Sequence, residues 1–401
     1  MSLFLRTISV EEARRIARDM APPPVYEEVP LEECCRRVLA DNALADVDIP
    51  GFDRSVVDGY AVRASDTTGA GEAIPSLLEL AGTVTMGNPP GFSLAPGQCA
   101  YIPTGGELPA GSDAVVMIEQ SESLGDQVLI RRPVAPGENM IRRGEDFMQG
   151  SPALLRGHRI TPQDTGVLAA VGCSRVKVYR RPRVGVISTG NELIPVDALP
   201  KGSEIRDSNS VMIGSFLEES GCLPRLYGIV RDDPATLRSA IVTALDENDA
   251  VVLSGGSSKD ERDLAARLIG ELGQVLAHGV AIAPGKPTIL GKCKGIPVIG
   301  LPGHPASAFV VLAVIGSALT EAMTGEEGRI PCTRKAVLAE NVPSSRGRED
   351  YVRVSLEGDI ARPLFGKSGL LNTLVASTGM VRIPAGREGL EAGEEVEVIW
   401  W

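Results

Sequence analysis

The 401-residue chain is 43% hydrophobic and 23% charged, which supplies buried cores for about two to four domains and argues against intrinsic disorder. Its formal net charge of −12 argues against general binding of nucleic acid or membrane surfaces, which demands clustered Lys and Arg. Seven scattered cysteines without a CxxC pair argue against a disulfide framework or a zinc site and predict a cytoplasmic protein.

Ser9 and Glu12 fit a capping box that opens a helix to about Met20, ended by the prolines at 22–24. Cys34 and Cys35 sit on a second helix-like stretch, as packing residues. Between about 25 and 180, short β-rich runs (115–119, 128–132) alternate with Gly and Pro turns, and one helix is predicted over 161–170. From Arg183 the pattern alternates regularly. Strands are predicted at 184–188, 226–230, 250–253, 274–280, 288–290 and 296–301. Helices are predicted at 210–220, from the cap Asp233 with Pro234 to 245, at 261–272 and after Pro305. Such alternation implies βαβ crossovers. The apolar stretch 308–319 is shorter than a bilayer span, and the first twenty residues lack the pattern of a secretory leader.

The fold class expected is therefore multi-domain α/β plus β. A central three-layer α/β domain with a mostly parallel sheet occupies 181–328, between a β-rich N-terminal half (1–180) and a small C-terminal β-barrel domain (329–401).

Ligands of open parallel sheets bind at the carboxyl ends of the strands, and there the composition is unusual. Thr189, Gly190 and Glu192 follow the first strand, Asp232 the second, and Ser254, Gly255, Gly256 and Ser257 the third, continuing to Asp263. Two Pro/Gly turns follow, one carrying Lys286 and one spanning Pro302, Gly303, His304 and Pro305. Glycine turns and helix N-termini suit a phosphate, whereas three carboxylates repel one unless a divalent cation lies between. Oxygen ligands of this kind suit Mg²⁺. The residues thus point to a Mg²⁺-dependent phosphate or pyrophosphate site. Polar loops around Asp53 and Asp58, at 103–106 and at 142–146 form a second cluster in the β-rich half.

Taken in order, these segments resemble the MoeA family, the molybdopterin molybdenumtransferases, which also form the C-terminal part of gephyrin. The resemblance runs through FDRSVVDGYAV at 52, PTGGELPAGSDAVVMIEQ at 103, RRGEDF at 142, VISTGNEL at 186, RDDP at 231, LSGG at 253, PGKPT at 284 and LPGHPASA at 301, and covers essentially the whole chain. It implies a homodimer of four-domain subunits, with 1–25, 45–55 and 145–180 as one N-terminal domain and 26–44 with 56–144 as the other. It implies an enzyme that inserts molybdate into adenylylated molybdopterin and releases AMP with Mg²⁺ present. A MogA-type molybdopterin adenylyltransferase and downstream molybdoenzymes are the implied partners.

Matched motif by motif, Glu192, Asp232 and Asp263 fall on the family's α/β-domain carboxylates, as catalytic groups and metal ligands. Asp58, Thr104 and Asp146 fall on N-terminal positions contributed to the other subunit's site, and Pro302 and Pro305 on the loop prolines. Both aspartates there are expected to place an anion, not to attack it. The chain departs from the family pattern at Asp260, at His304, and at Gly279 and Ala283, where some members carry basic residues. Those departures predict weaker anion attraction, with Lys259, Lys286 and His304 as compensating charges, and bear on the choice between molybdate and tungstate.

Simpler readings stand beside these. Glu192, Asp232 and Asp263 serve equally as helix N-terminal charges, and Asp233 is best read that way. Gly255 and Gly256 alone make a tight turn. Asp53 with Arg54 reads as a surface ion pair, Asp58 with Gly59 as a turn, Asp146 as a solvated charge and Lys286 as a turn lysine. Two other functions compete with insertion: adenylyl transfer to molybdopterin, and a non-catalytic pterin-binding scaffold.

Overall fold

The computed structural model of the chain describes residues 7–255, 259–327 and 332–400, the side chains of 259–263 excepted. In the centre, Leu223–Val230, Arg183–Thr189, Ala250–Gly255 and Ile296–Leu301 run parallel in that spatial order. Ile289–Cys293 and Gly273–His278 extend the sheet through antiparallel pairings. The predicted sheet is thus present, and mostly parallel. Ala250–Gly255 is apolar on both faces because both are covered.

One face packs against Val10–Met20, Asn209–Glu219 and the helix Pro305–Thr324, with Ile213, Leu217, Val311 and Ile315 in the core. The other packs against Pro234–Glu247 and Lys259–Leu272 through Leu237, Ile241, Leu268 and Ile269. The first helix begins as its sequence predicts: the Ser9 side chain accepts from the Glu12 backbone N–H at 3.1 Å. The apolar stretch 308–319, expected to be too short for a bilayer, belongs to a helix of 20 residues that is by length and composition long and apolar enough to cross one. Its apolarity has another cause, since 72% of its most apolar window is buried inside the protein.

In the C-terminal region, Glu349–Glu357, Ile360–Pro363, Thr333–Leu338, Glu395–Trp400 and Gly379–Ile383 close into a five-stranded barrel. Ile282–Ala283 of the central region adds to it alongside Glu349–Asp350, so the two regions share backbone hydrogen bonding.

The N-terminal half is β-rich, around a six-stranded sheet whose central strands are Gly59–Val62, Gln98–Ile102 and Ser76–Thr83. The run expected at 115–119 is strand only over Ala114–Met117, then turns as the 3₁₀ helix Ile118–Gln120. Tyr26–Pro30 pairs antiparallel with Arg175–Tyr179, and Ala43–Leu44 with Pro152–Leu154. Segment 26–44 therefore hydrogen-bonds to 152–179, not to the 56–144 segment with which it was expected to group. The helix expected around Cys34 and Cys35 is one 3₁₀ turn, Leu31–Glu33, and Cys34 is buried under it as a packing residue.

Candidate active site

Register sets the site's edge. Thr189 lies opposite Val230 on one side and Gly255 on the other, and Ser254 lies opposite Leu301. Four parallel strands thus end level, and the loops after them share one rim.

On that rim the Thr189 hydroxyl donates to Asp232 Oδ1 at 2.5 Å, and the Asn191 backbone N–H donates to Asp232 Oδ2 at 3.1 Å. The Asp232 N–H donates in return to Asn191 Oδ1 at 3.3 Å. Glu192 folds against the same turn: a methyl group at Gly190 would meet its carboxylate oxygens at 2.9 and 3.0 Å. Asp233 does something different. It accepts from the Thr236 backbone N–H at 2.8 Å and hydroxyl at 2.6 Å, capping the helix after Pro234. The hydroxyl and backbone bonds hold its carboxyl below the usual range. Of these neighbouring acids, Asp233 serves the helix and Asp232 serves the rim. Asp263 lies in the helix Lys259–Leu272, but its side chain, like Gly256, Ser257 and the side chains of Lys259 and Asp260, lies outside the described residues.

Asn209, which the sequence reading did not single out, ties this rim together. Its buried amide donates to Ser254 Oγ at 2.9 Å and to the Gly303 carbonyl at 2.8 Å. Among the described residues its Oδ1 and the Ser188 Oγ, both buried, find no hydrogen-bond partner.

Beside the rim opens a cavity of about 710 Å³, lined by Lys286, Pro302, His304, Arg346, Arg348 and Ser368 among others. A recess of about 30 Å³ involving Thr189, Gly255, Pro287 and Pro302 lies where the carboxylate turn and the cavity loops approach one another. Of the three residues expected to compensate for the basic groups missing at Gly279 and Ala283, Lys286 and His304 line this cavity together with Arg346 and Arg348 of the barrel region, and the side chain of Lys259 lies outside the described residues. Arg346 pairs with Glu388 at 3.2 Å and Arg348 with Asp350 at 2.8 Å. His304 Nδ1 and Ser368 Oγ share a hydrogen bond at 2.9 Å. No local pattern marked Arg346, Arg348 or Ser368 in the sequence. Pro305 starts the helix behind this loop.

The second cluster also assembles. Asp58 Oδ1 accepts from Thr104 twice, from its backbone N–H at 2.7 Å and its hydroxyl at 3.1 Å. Arg54–Ser55 pairs with Met140–Ile141, and the Ser55 N–H donates to Gly106, so the three loops meet. Asp146 is exposed and its N–H donates to the Ile49 carbonyl at 3.0 Å. The expected Asp53–Arg54 ion pair does not form, because Asp53 accepts from the Arg143 backbone N–H at 2.8 Å instead. Among the described residues no hydrogen bond joins Asp58, Thr104 or Asp146 to the strand-tip rim.

The fold defines a class: an open α/β domain whose loops gather at the usual ligand edge of such sheets, carried between a β-rich half and a barrel. Family models resolve it further. Residues 8–172 match the MoeA N-terminal region (domain I and II), 185–321 a family described as "Probable molybdopterin binding domain", and 335–401 the MoeA C-terminal region (domain IV). A molybdopterin molybdenumtransferase of Bacillus subtilis is 31% identical across 98% of this chain and 94% of its own. Two crystal structures of molybdopterin biosynthesis MoeA proteins from Pyrococcus horikoshii are also similar. One is 39% identical with a TM-score of 0.81, covering 98% of this chain and 99% of the other. The second is 32% identical with a TM-score of 0.88, covering 99% and 100%. The chain belongs to the MoeA family, the molybdopterin molybdenumtransferases of molybdenum cofactor biosynthesis.

Proposed function

We propose that this chain takes adenylylated molybdopterin and molybdate, inserts the metal at the dithiolene and releases AMP, with Mg²⁺ at Glu192, Asp232 and Asp263. The observation that carries the reading is the level ending of four parallel strands, which sets Asp232 and the Gly190 turn on one rim beside a cavity whose wall includes Lys286, Arg346 and Arg348. Acid on one side and base on the other suit a substrate that joins a diphosphate to an oxyanion-accepting group.

The donor set fits the ion. Of the three carboxylates, Glu192 and Asp232 lie at the one rim, and the side chain of Asp263 lies outside the described residues. Glu192 and Asp232 beside one turn suit Mg²⁺, which commonly takes one or two carboxylates and completes its shell from substrate phosphates. When bound, the ion offsets charge on the departing AMP phosphate. Around it, Thr189 and Asn191 orient Asp232. Lys286, Arg346 and Arg348 attract the oxyanion, and Pro302, Gly303 and Pro305 hold the cavity loop rigid. Ser254 is fixed by Asn209, and Gly255, with Gly256 and Ser257 after it, lets backbone approach the ligand.

In this reading the protein works as a homodimer in which Asp58, Thr104 and Asp146 of one subunit complete the rim of the other. That no hydrogen bond joins the two clusters among the described residues accords with that arrangement. A MogA-type adenylyltransferase would supply the substrate, and molybdoenzymes would receive the product. The free state of all seven cysteines supports a reducing, cytoplasmic setting. Incubation with adenylylated molybdopterin, molybdate and Mg²⁺ tests the proposal: AMP release should depend on molybdate. Pyrophosphate release from ATP and molybdopterin would instead establish adenylyl transfer.

A further inference from the structure

We propose that Asn209 is a positioning residue for the proposed transfer: its one amide group holds the cavity loop in register with the strand-tip rim, so that oxyanion and diphosphate meet. The inference rests on the reading of rim and cavity as two halves of one site.

Asn209 opens the helix Asn209–Glu219, and the segment before it is fixed to the carboxylate side of the rim. The Ile205 N–H donates to the Glu192 carbonyl at 2.9 Å, and the Asp207 N–H to the Ile194 carbonyl at 3.0 Å. Asp207 Oδ1 then accepts from the Ser210 N–H at 3.1 Å. The helix start therefore moves with the turn that carries Glu192. From there the Asn209 amide reaches two other strand ends. Ser254 lies near the end of Ala250–Gly255, opposite Leu301, and Gly303 follows Leu301 in the loop that lines the cavity. Val252 and Leu301 are buried in the core that this helix covers, and strand alternation turns Ser254 to the same face as Val252.

Both amide hydrogens are used, on Ser254 Oγ at 2.9 Å and on the Gly303 carbonyl at 2.8 Å. An amide that served only its own helix would bond back to the nearest turn, whereas these partners lie 45 and 94 residues along the chain. Asn209 is 7% exposed and Ser254 3%, so the bonds act in a low dielectric. Aspartate has the same shape but offers only acceptors, and would set a carboxylate against the Gly303 carbonyl. The groups that attract ligand are held by other contacts. Asp232 is fixed by Thr189 and Asn191, Arg346 by Glu388 and Arg348 by Asp350. Among the described residues none of these, nor Lys286, bonds to Asn209. Loss of the amide leaves each half-site its binding groups and lets their separation drift. A misplacement near 1 Å costs about 100-fold in a chemical step, and it lowers kcat while ground-state affinity stays.

The test compares the full chain with Asn209→Asp and Asn209→Ser. AMP release from adenylylated molybdopterin with molybdate and Mg²⁺ gives kcat. Calorimetry with molybdate, and separately with AMP and Mg²⁺, gives affinities and the number of sites per chain. Both variants should lose about 30-fold in kcat, with affinities within about threefold of wild type and site numbers unchanged. Asn209→Ser brings no charge into the core and decides the matter if Asn209→Asp does not fold. A loss of kcat below about tenfold in a folded variant overturns the proposal while the reaction reading stands. A loss of binding sites that matches the loss of kcat makes Asn209 a stability residue and overturns the positioning role. A fall in molybdate or AMP affinity that accounts for the lost activity does the same. If the wild-type protein releases no AMP in response to molybdate, the reaction reading falls and this inference with it.

Discussion

Thr189, the last residue of its strand, and Asp232, two residues past the end of the parallel strand beside it, meet in a 2.5 Å hydrogen bond that closes the gap between two strand tips. Without it Asp232 would keep only the Asn191 backbone donor. Thr189→Val retains shape and removes the hydroxyl. It should cost about 1 kcal/mol of stability and lower kcat/KM about tenfold through the loosened carboxylate. Asp232→Asn should remain folded yet lose about 100-fold or more. Thermal unfolding and AMP-release assays separate the two effects. Wild-type turnover in Asp232→Asn would remove the residue from the site.

Gly190 is small because Glu192 occupies the space beside it. Its φ is not in the left-handed region, so alanine fits the backbone, and the methyl group presses on the flexible Glu192 carboxylate and on Leu193 Cγ at 3.0 Å. Gly190→Ala should therefore fold with a cost of about 1 kcal/mol and lose about 100-fold in activity, as a displacement near 1 Å does at a reacting centre. Full activity in a folded Gly190→Ala protein would show that the position of Glu192 is immaterial.

Buried thiols set an alkaline limit. Burial pushes Cys99 and Cys222 up to about 12 and Cys293 to about 11, from an ordinary 9.0. Below pH 9 both folded and unfolded chains hold these protons, so the full stability is present. Above it the unfolded chain gives up protons that the folded chain retains, and stability declines as pH rises toward 11 and 12. Denaturant midpoints should drop across that window, and less steeply in Cys222→Ala. Equal slopes in the two proteins would contradict this account.

The proposed exchange of residues between subunits has a sharp test. Asp58→Ala frees the Thr104 loop by removing both of its side-chain contacts, and Asp232→Asn disables the rim. Each variant alone should be inactive. Unfolded and refolded together, they should recover about a quarter of wild-type activity, because half of the dimers are mixed and each mixed dimer carries one intact site. No recovery would place both clusters in a single subunit.

Local signals read well in advance. Ser9 and Asp233 are caps because a short polar side chain reaches the N–H three residues on, a contact written within a few positions. Ile296–Leu301 matches its predicted span because an apolar run between turns has few other outcomes. The acids and glycines of the rim were equally visible, since strand ends carry the ligand in such sheets. The 3₁₀ turn at Ile118–Gln120 was not, because a few residues of β-rich composition do not reveal where pairing stops.

By itself, then, the sequence determined the helix starts, the alternation that makes a parallel sheet, and the identity of Glu192, Asp232 and the loop residues that line its tips. Only the tertiary structure decided which distant segments join them. Tyr26–Pro30 found Arg175–Tyr179, Asn209 found Gly303, and Arg346, Arg348 and Ser368 came to Lys286 and His304. The physical reason is that periodicity and capping report contacts within a few residues along the chain. Charge placed across a cavity depends on how barrel and sheet share a backbone strand pair, and nothing local encodes that.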